Sequence, residues 1–206
     1  MKTERAKDYP FAKRASSYDS GIEGRASQRF YNLLLGAISL SPGAAVLDVG
    51  CGTGALLKKL SDKSNIVGHG IDVEENMIAE AKKQCPEMSF EIGRCDGLPV
   101  GDQALDAVIA CLAYHHFDNK PGFAAEAARV LKPGGILYIA DPRLPWVVRK
   151  PLNGILRIMG MVGRINDSQE IEAVFAPHGF AGTGIAADKY AQVIKLQKTC
   201  RAHMKA

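Results

Sequence analysis

Three closely spaced glycines are the most informative residues of this sequence, because they follow a short apolar run that contains an acid. The run VLDVGCGTG, residues 46–54, predicts a buried strand that turns through these glycines into a helix beginning near Ala55. Glycine tolerates positive φ and lets a ligand approach the backbone more closely than a side chain would permit. Asp48 stands two residues before Gly50, where a carboxylate would repel a pyrophosphate and would suit an ammonium or sulfonium cation. The run therefore indicates a site for a cofactor that carries such a cation.

Two further acids follow apolar runs. Asp72 closes the run IVGHGI about twenty residues beyond the glycines, and an acid in that place can accept hydrogen bonds from both hydroxyls of a ribose. Asp96, with Gly97 beside it, follows the run at 88–92. Ligands of open α/β sheets bind at the carboxyl ends of the strands, so we expect these acids at one edge of a sheet.

Two adjacent histidines, His115 and His116, follow the apolar run at 105–111 and are candidates for a general base. Histidine is suited to proton removal near neutral pH. Adjacent side chains point in different directions, so we expect at most one to face a substrate, and His116 is favoured because it lies deeper in the loop. Cys51 and Cys111 have no partner pattern for nucleophilic catalysis, and we interpret them as small packing residues.

The elements that must position these residues alternate between strand and helix. Helical spacing predicts helices at 23–40, 55–62, 74–84 and 120–131, and apolar runs predict strands at 44–49, 66–71, 88–92, 105–111 and 135–140. This alternation implies parallel strands joined by right-handed crossovers, a doubly wound α/β fold. Toward the end, a capping box at 167–170 predicts a helix to about 177, and two strands are expected near 181–187 and 190–197.

The segment 142–166 is apolar and basic and contains no acid. On a helix beginning at Leu152, an apolar stripe would lie opposite Arg157 and Arg164. We favour a cap helix that covers a substrate pocket; the alternative is a basic amphipathic surface, at 143–164, for weak contact with an anionic membrane or for an acidic, greasy substrate. The stripe comprises Leu152, Ile155, Leu156, Met159 and Val162, and the other basic residues are Arg143, Arg149 and Lys150.

Composition restricts the class of protein. The chain has 206 residues, 47% of them hydrophobic and 23% charged, which is typical of one soluble globular domain. A net charge of +4 is too small to indicate a nucleic-acid partner. No apolar run is long enough to span a bilayer, and the charged N-terminus lacks the apolar core of a signal peptide. The five cysteines form no C-x-x-C pair, which favours reduced thiols and a cytoplasmic location.

Four segments together resemble class I S-adenosylmethionine-dependent methyltransferases. VLDVGCGTG is similar to their glycine motif, GIDVEENMI to their ribose-binding segment, GRCDGLPVGDQALDAVIACLAYHHF to the adenine-binding segment and fourth strand, and ARVLKPGGILYIAD to the fifth strand. The similarity covers residues 40–142, and its LP-x-x-D and HHF elements resemble the ubiquinone and menaquinone biosynthesis branch. It implies a Rossmann-like sheet of seven strands whose last strand is antiparallel, with a helical cap.

The resemblance implies that S-adenosylmethionine is the cofactor, S-adenosylhomocysteine the product, and a small, partly apolar molecule the acceptor, without a metal. The methyl donor is already activated by its positive sulfur, so alignment and desolvation could suffice without a base. Residues implied at the methionine end of the cofactor are Asp48, Gly50, Cys51, Gly52, Cys111 and Leu112.

At the adenosine end, Asp72 would bind the ribose, while Val73 and Met77 would pack against the adenine. Asp96, assisted by the Gly97 amide, would accept a hydrogen bond from the exocyclic amine of the adenine. Tyr18, in an A-x-x-Y-D pattern, resembles a tyrosine that closes over the cofactor.

The expected layout is a single methyltransferase domain, residues 1–206, with an N-terminal helical lid at 1–40 and a substrate-cap insertion at 142–178. Two alternatives stay open. Gly50, Gly52 and Ala55 also satisfy the G-x-G-x-x-A pattern of an NAD(P)-dependent oxidoreductase. A regulatory protein could also have kept the cofactor pocket and lost its substrate.

Overall fold

One seven-stranded sheet forms the centre of the protein in a computed structural model, which describes residues 21–159 and 163–199. The strand order is β3-β2-β1-β4-β5-β7-β6. Neighbouring strands are parallel except at β7, which is antiparallel to both β5 and β6. The doubly wound, mostly parallel sheet with an antiparallel last strand is therefore confirmed. The strands are β1 Ala45–Val49, β2 Val67–Asp72, β3 Ser89–Ile92, β4 Leu105–Cys111, β5 Leu131–Pro142, β6 Phe180–Ala187 and β7 Ala191–Lys198.

Helices cover both faces of the sheet. Apolar residues of the first three helices, such as Leu34, Leu57 and Ile78, form one core, and those of the fourth and sixth, such as Phe123 and Ile171, form the other. Among the described helices, none has the length and apolar character needed to cross a membrane. The helices are α1 Ile22–Ala37, α2 Ala55–Ser64, α3 Glu75–Gln84, α4 Lys120–Val130, α5 Trp146–Ile158 and α6 Ser168–Phe175. Short 3-10 turns lie at Tyr114–His116 and Ala176–His178.

Two elements begin earlier than the sequence pattern indicates. β5 begins at Leu131, before the Lys132–Gly135 turn that was expected to precede it. Leu105 pairs with Leu131 and Ala107 with Ile136, so this turn is accommodated as an irregularity within the ladder. α5 begins at Trp146, six residues before the expected start, because the amides of Val148 and Arg149 donate to the Pro145 carbonyl and close the first turn. Pro151 lies inside this helix.

The apolar stripe expected on α5 is not a buried face. Ile155 and Met159 are 52% and 66% exposed, Leu152 and Leu156 are partly buried, and Val162 lies outside the described residues. The buried side chain of α5 is instead Arg149, at 5% exposure. α5 and α6 therefore meet through a charged group.

Arg149 fastens α5 to the start of α6. Its guanidinium pairs with Asp167 and with Glu170, the two residues that form the capping box of α6. The expected capping box is confirmed, since Asp167 accepts from the Glu170 amide at 2.8 Å and Glu170 accepts from the Asp167 amide at 3.2 Å. Ile171 of α6 is fully buried in the core that α4 also covers, so α6 belongs to the helical layer on that face of the sheet.

We expect Arg149→Met to lower the free energy of unfolding by about 1–3 kcal/mol, because it leaves Asp167 without its cation and Glu170 with Arg164 alone. The value is below that of a fully buried pair, since Asp167 and Glu170 are 41% and 33% exposed. Urea denaturation measures the change. Arg157→Met, on the exposed side of the same helix, is the matched control and should change stability by less than about 0.5 kcal/mol. Equal midpoints for both variants would contradict the assignment.

Candidate active site

The strand order reverses between β1 and β4, which is where open α/β sheets bind ligands outside the carboxyl ends of their strands. β1 pairs with β2 on one side and with β4 on the other. A cleft opens at this point. Nine of the residues predicted for the site line it: Gly50, Cys51, Gly52, Asp72, Val73, Met77, Cys111, Leu112 and His116.

The glycine turn is held by the end of β2. The amides of Gly50 and Cys51 both donate to the Ile71 carbonyl, at 2.8 and 2.9 Å. Gly50 has a φ of 79°, and an added Cβ would lie 2.6 Å from the Ala113 side chain. Gly52 has a φ of 52°, and its Cβ would meet no atom within 4 Å. Gly50 is therefore required by packing, whereas Gly52 leaves open space along the cleft.

Asp72 lies directly beside this turn. One carboxylate oxygen accepts the Gly52 amide at 2.9 Å and the other accepts the Glu74 amide at 3.0 Å. Burial raises the pKa of Asp72, while these hydrogen bonds and one from the Val73 amide act in the opposite direction. Since each carboxylate oxygen can accept further hydrogen bonds, Asp72 can also bind hydroxyl groups in the cleft.

Asp48 lies beneath the cleft rather than in its lining, at 2% exposure. Its Oδ1 atom finds no hydrogen-bond partner among the residues that the structure describes. Burial first, and then the charge of Asp72, raise the pKa of Asp48 from its usual 3.8 to about 8. Burial and the Asp48 charge in turn raise the pKa of the Cys51 and Cys111 thiols well above the usual range, which agrees with inert packing residues.

The segment after β3 differs from the expectation. Asp96 is not in the cleft lining; its carboxylate accepts from Arg94 and Asn119, both at 3.1 Å. The Arg94 and Asn119 contacts hold the pKa of Asp96 below its usual value, the Asn119 bond most strongly. Gly97 forms a β-bridge with Arg94 and also lies outside the cleft lining. Cys95 is the residue of this segment's tip that lines the cleft instead. Tyr18 lies outside the described residues.

The two histidines lie in the 3-10 turn after β4. His115 Nδ1 is 2.9 Å from Oδ1 of Asp141, a carboxylate that is 1% exposed. The expectation that the histidines would face different ways is wrong: their ring centroids are 3.9 Å apart. Both line a second cavity of about 610 Å³, and His116 also lines the cleft.

Packing fixes the position of this histidine turn. Tyr114 is fully buried, with its ring centroid 5.9 Å from that of Phe175 and 6.3 Å from that of Phe123. The Arg164 amide donates to the His115 carbonyl at 2.8 Å. Leu112, just before the turn, has a φ of 55° that a non-glycine residue rarely adopts, and its amide donates to the Ala140 carbonyl at 2.8 Å.

Sequence reasoning missed several residues of the site, among them three of the cleft wall and Asp141, the carboxylate beside His115. Ser27 and Tyr31 reach the cleft from α1 and stand four residues apart, a polar pair on one helix face that could have indicated them. Cys95 had no distinguishing signal. Asp141 is an acid that closes an apolar strand, as Asp72 does, and this signal could have identified it.

Comparison with known proteins gives consistent results. The family model described as "Methyltransferase domain" matches residues 47–139. An uncharacterized methyltransferase of Synechocystis is 30% identical over 148 residues, covering 70% of this chain and 69% of that protein. A demethylmenaquinone methyltransferase of Chlorobaculum parvum is 29% identical over 136 residues, covering 66% of this chain and 54% of that protein. The chain spans between 35% and 69% of the length of the first three curated relatives.

Among solved structures, the Haloferax volcanii chain in complex with the Trm112 methyltransferase activator superposes with a TM-score of 0.81. It is 20% identical, and the match covers 95% of this chain and 100% of that chain. The chain belongs to the methyltransferase family. Within that family, its sheet order and glycine turn are those of the class I S-adenosylmethionine-dependent methyltransferases.

The buried state of Asp48 predicts how stability depends on pH. Because its pKa in the folded protein is about 8 and its usual value is 3.8, the folded state binds more protons there than the unfolded chain between these values. Stability from this group is present below about pH 4 and is lost as the pH rises toward 8. Between pH 5 and pH 8, the wild-type protein should lose about 2–4 kcal/mol more unfolding free energy than Asp48→Asn.

Denaturant titrations of both proteins at the two pH values measure this difference. Asp62→Asn, an exposed carboxylate on α2, is the control and should follow the wild-type pH dependence. Parallel pH dependence of wild-type protein and Asp48→Asn would show that Asp48 is ionised at neutral pH.

Proposed function

We propose that the chain transfers a methyl group from S-adenosylmethionine to a small, partly apolar molecule. The observation that carries this proposal is Asp48, a buried carboxylate at the base of the cleft whose Oδ1 has no partner among the described residues. A cationic cofactor stabilises such a group in its ionised form, whereas the pyrophosphate of a dinucleotide would repel it. When bound, S-adenosylmethionine supplies a methyl group on a positively charged sulfur.

The residues of the cleft divide between the two ends of the cofactor. Gly52 and Leu112 border the methionine end, and Asp48 orients the amino group through water or the amides of the loop. Asp72 accepts hydrogen bonds from the ribose hydroxyls, and the buried Met77 packs against the adenine. Val73, which is 48% exposed, covers the adenine from the solvent side. Asp96 and Gly97 lie outside the lining, so we assign the adenine edge to the neighbouring Cys95 segment.

His115 is the general base of this proposal, in place of His116. Oδ1 of Asp141 lies 2.9 Å from Nδ1 of His115 and holds the imidazole proton on that nitrogen. Nε2 of His115 is then the proton acceptor. The bound cofactor would supply its methyl group to an oxygen, nitrogen or carbon atom of the acceptor, and the electron pair of the broken carbon–sulfur bond would remain on sulfur. The proton released by the acceptor passes to Nε2 of His115.

Cofactor identity is tested by calorimetry with Asp72→Ala. Loss of charge-assisted hydrogen bonds to the ribose should weaken S-adenosylmethionine binding by about 1–3 kcal/mol. Asp62→Ala is the matched control and should leave affinity unchanged. Tight binding of NAD and none of S-adenosylmethionine by the wild-type protein would contradict the proposal, and an unchanged affinity of Asp72→Ala would show that the ribose is held elsewhere.

The role of His115 is tested on an acceptor found by screening phenols, amines and quinone precursors with labelled cofactor. We expect His115→Gln to lower kcat by about 10²–10⁴-fold, the usual contribution of a general base, without changing cofactor affinity. Asp141→Asn should lower kcat with little change in KM, as expected for a positioning residue. If His116→Gln alone abolishes turnover, the base has been misassigned; cofactor binding without any methyl transfer would favour a regulatory protein.

A further inference from the structure

The second cavity adjoins the cofactor cleft. His116, Phe117 and Asp118 line both spaces, so the cavity opens where the methyl group would be presented. Its other walls come from the start of α4, from α5 and from the residues after 162. At about 610 Å³, its volume lies within the range of small-molecule sites. A methyl acceptor of ordinary size could therefore occupy it.

The charges of this cavity are unbalanced. Five cationic side chains and two carboxylates line it. Two of the cations are already paired: Arg149 with Asp167 and Glu170, and Arg164 with Glu170. No carboxylate of residues 21–159 and 163–199 forms an ion pair with the remaining three cations. These are Lys120, Lys150 and Arg157.

Lys120 is the most deeply placed of the three cations. Its ammonium donates to the Phe117 carbonyl at 2.8 Å and lies 5.2 Å from the centroid of the Tyr114 ring. Burial is the main cause that lowers the pKa of Lys120, and the charges of Asp141 and Asp118 offset it only in part. On α5, the Lys150 ammonium lies 5.8 Å from the centroid of the Trp146 ring. Arg157 is exposed on the same helix, one side of which borders the cavity.

We propose that this cavity binds an anionic group of the methyl acceptor, a carboxylate or phosphate remote from the methylated atom, through Lys120, Lys150 and Arg157. The assignment rests on the proposed methyl transfer. The anion would offset part of the charge of the three cations, and the paired residues Arg149 and Arg164 would keep the wall of the cavity in place. The acceptor's reacting atom would then lie on the side of His115, near the cleft.

An anionic membrane is the competing partner for the same basic residues, since Trp146, Val147 and Ile158 of α5 are exposed. The position of Lys120 favours a small molecule. This lysine belongs to α4 and is partly buried in a concave space beside the His115–Asp141 pair, whereas a membrane surface contacts convex, fully exposed side chains.

The test uses matched pairs of aromatic acceptors, each as the free carboxylic acid and as its methyl ester, beginning with 4-hydroxybenzoate and methyl 4-hydroxybenzoate. Transfer of labelled methyl, and binding in the presence of S-adenosylhomocysteine, are measured for wild-type protein and for the double variant Lys150→Met/Arg157→Met. The control is Lys82→Met/Lys83→Met in the last turn of α3, outside both lined spaces. We expect the acids to be preferred over their esters by about 10–100-fold, and the double variant alone to lose this preference.

Other results would overturn the proposal. These are equal or better use of the esters by the wild-type protein, equal effects of the double variant on both members of a pair, and no binding of any acid by protein that binds S-adenosylmethionine. A second measurement is sedimentation with vesicles of phosphatidylglycerol and phosphatidylcholine. If the double variant loses vesicle binding while its acid preference stays unchanged, the cations serve a membrane instead. Failure to bind S-adenosylmethionine at all would be a failure of the proposed function, which calorimetry detects separately.

Discussion

The pairing of β1 between β2 and β4 determines where every group of the cleft lies. Asp48 pairs with Gly70 on one side and with Ile109 on the other, so the strand that leads into the glycine turn is fixed on both edges. The turn is then attached to the end of β2 through the Ile71 carbonyl, which brings Asp72 against Gly52. Because parallel strands end at the same edge of a sheet, the histidine turn after β4 lies beside both.

This arrangement places an unfavourable group where the cofactor is needed. A buried carboxylate whose Oδ1 has no hydrogen-bond partner among the described residues is destabilising in its ionised form, and burial raises the pKa of Asp48 for the same reason. The left-handed backbone of Leu112 is a second unfavourable feature at the same edge of the sheet. Both are tolerated because apolar packing around them is extensive: Leu47 and Ile109 are fully buried, as is Tyr114 at the base of the histidine turn. The stable core thus supports a strained site.

Local sequence patterns predicted those parts of the site whose conformation depends on a few consecutive residues. The glycine turn, Asp72 and Met77 lie within short segments whose conformation follows from their own residues, and the strands and helices that carry them have nearly the expected bounds. Contacts between distant segments were not predictable in this way. Asp141 meets His115 because Cys111 pairs with Ala140, a register that depends on the whole β4–β5 ladder. The burial of Arg149 depends on contacts with Asp167 and Glu170 at the start of the next helix, 18 and 21 residues away.

The difference between local features and contacts of distant segments also separates the cofactor cleft from the second cavity. The cofactor cleft is formed mainly by backbone near glycines and by acids at strand ends, features that any member of the fold needs for one shared ligand. The second cavity is formed by side chains of α5, of the start of α4 and of the residues before α6, which are connected through Arg149 and the capping box. A change of charge on α5 would alter the acceptor's environment without disturbing the cleft, because α5 contributes no residue to the cleft lining. Under the proposed function, acceptor specificity can therefore vary independently of cofactor binding.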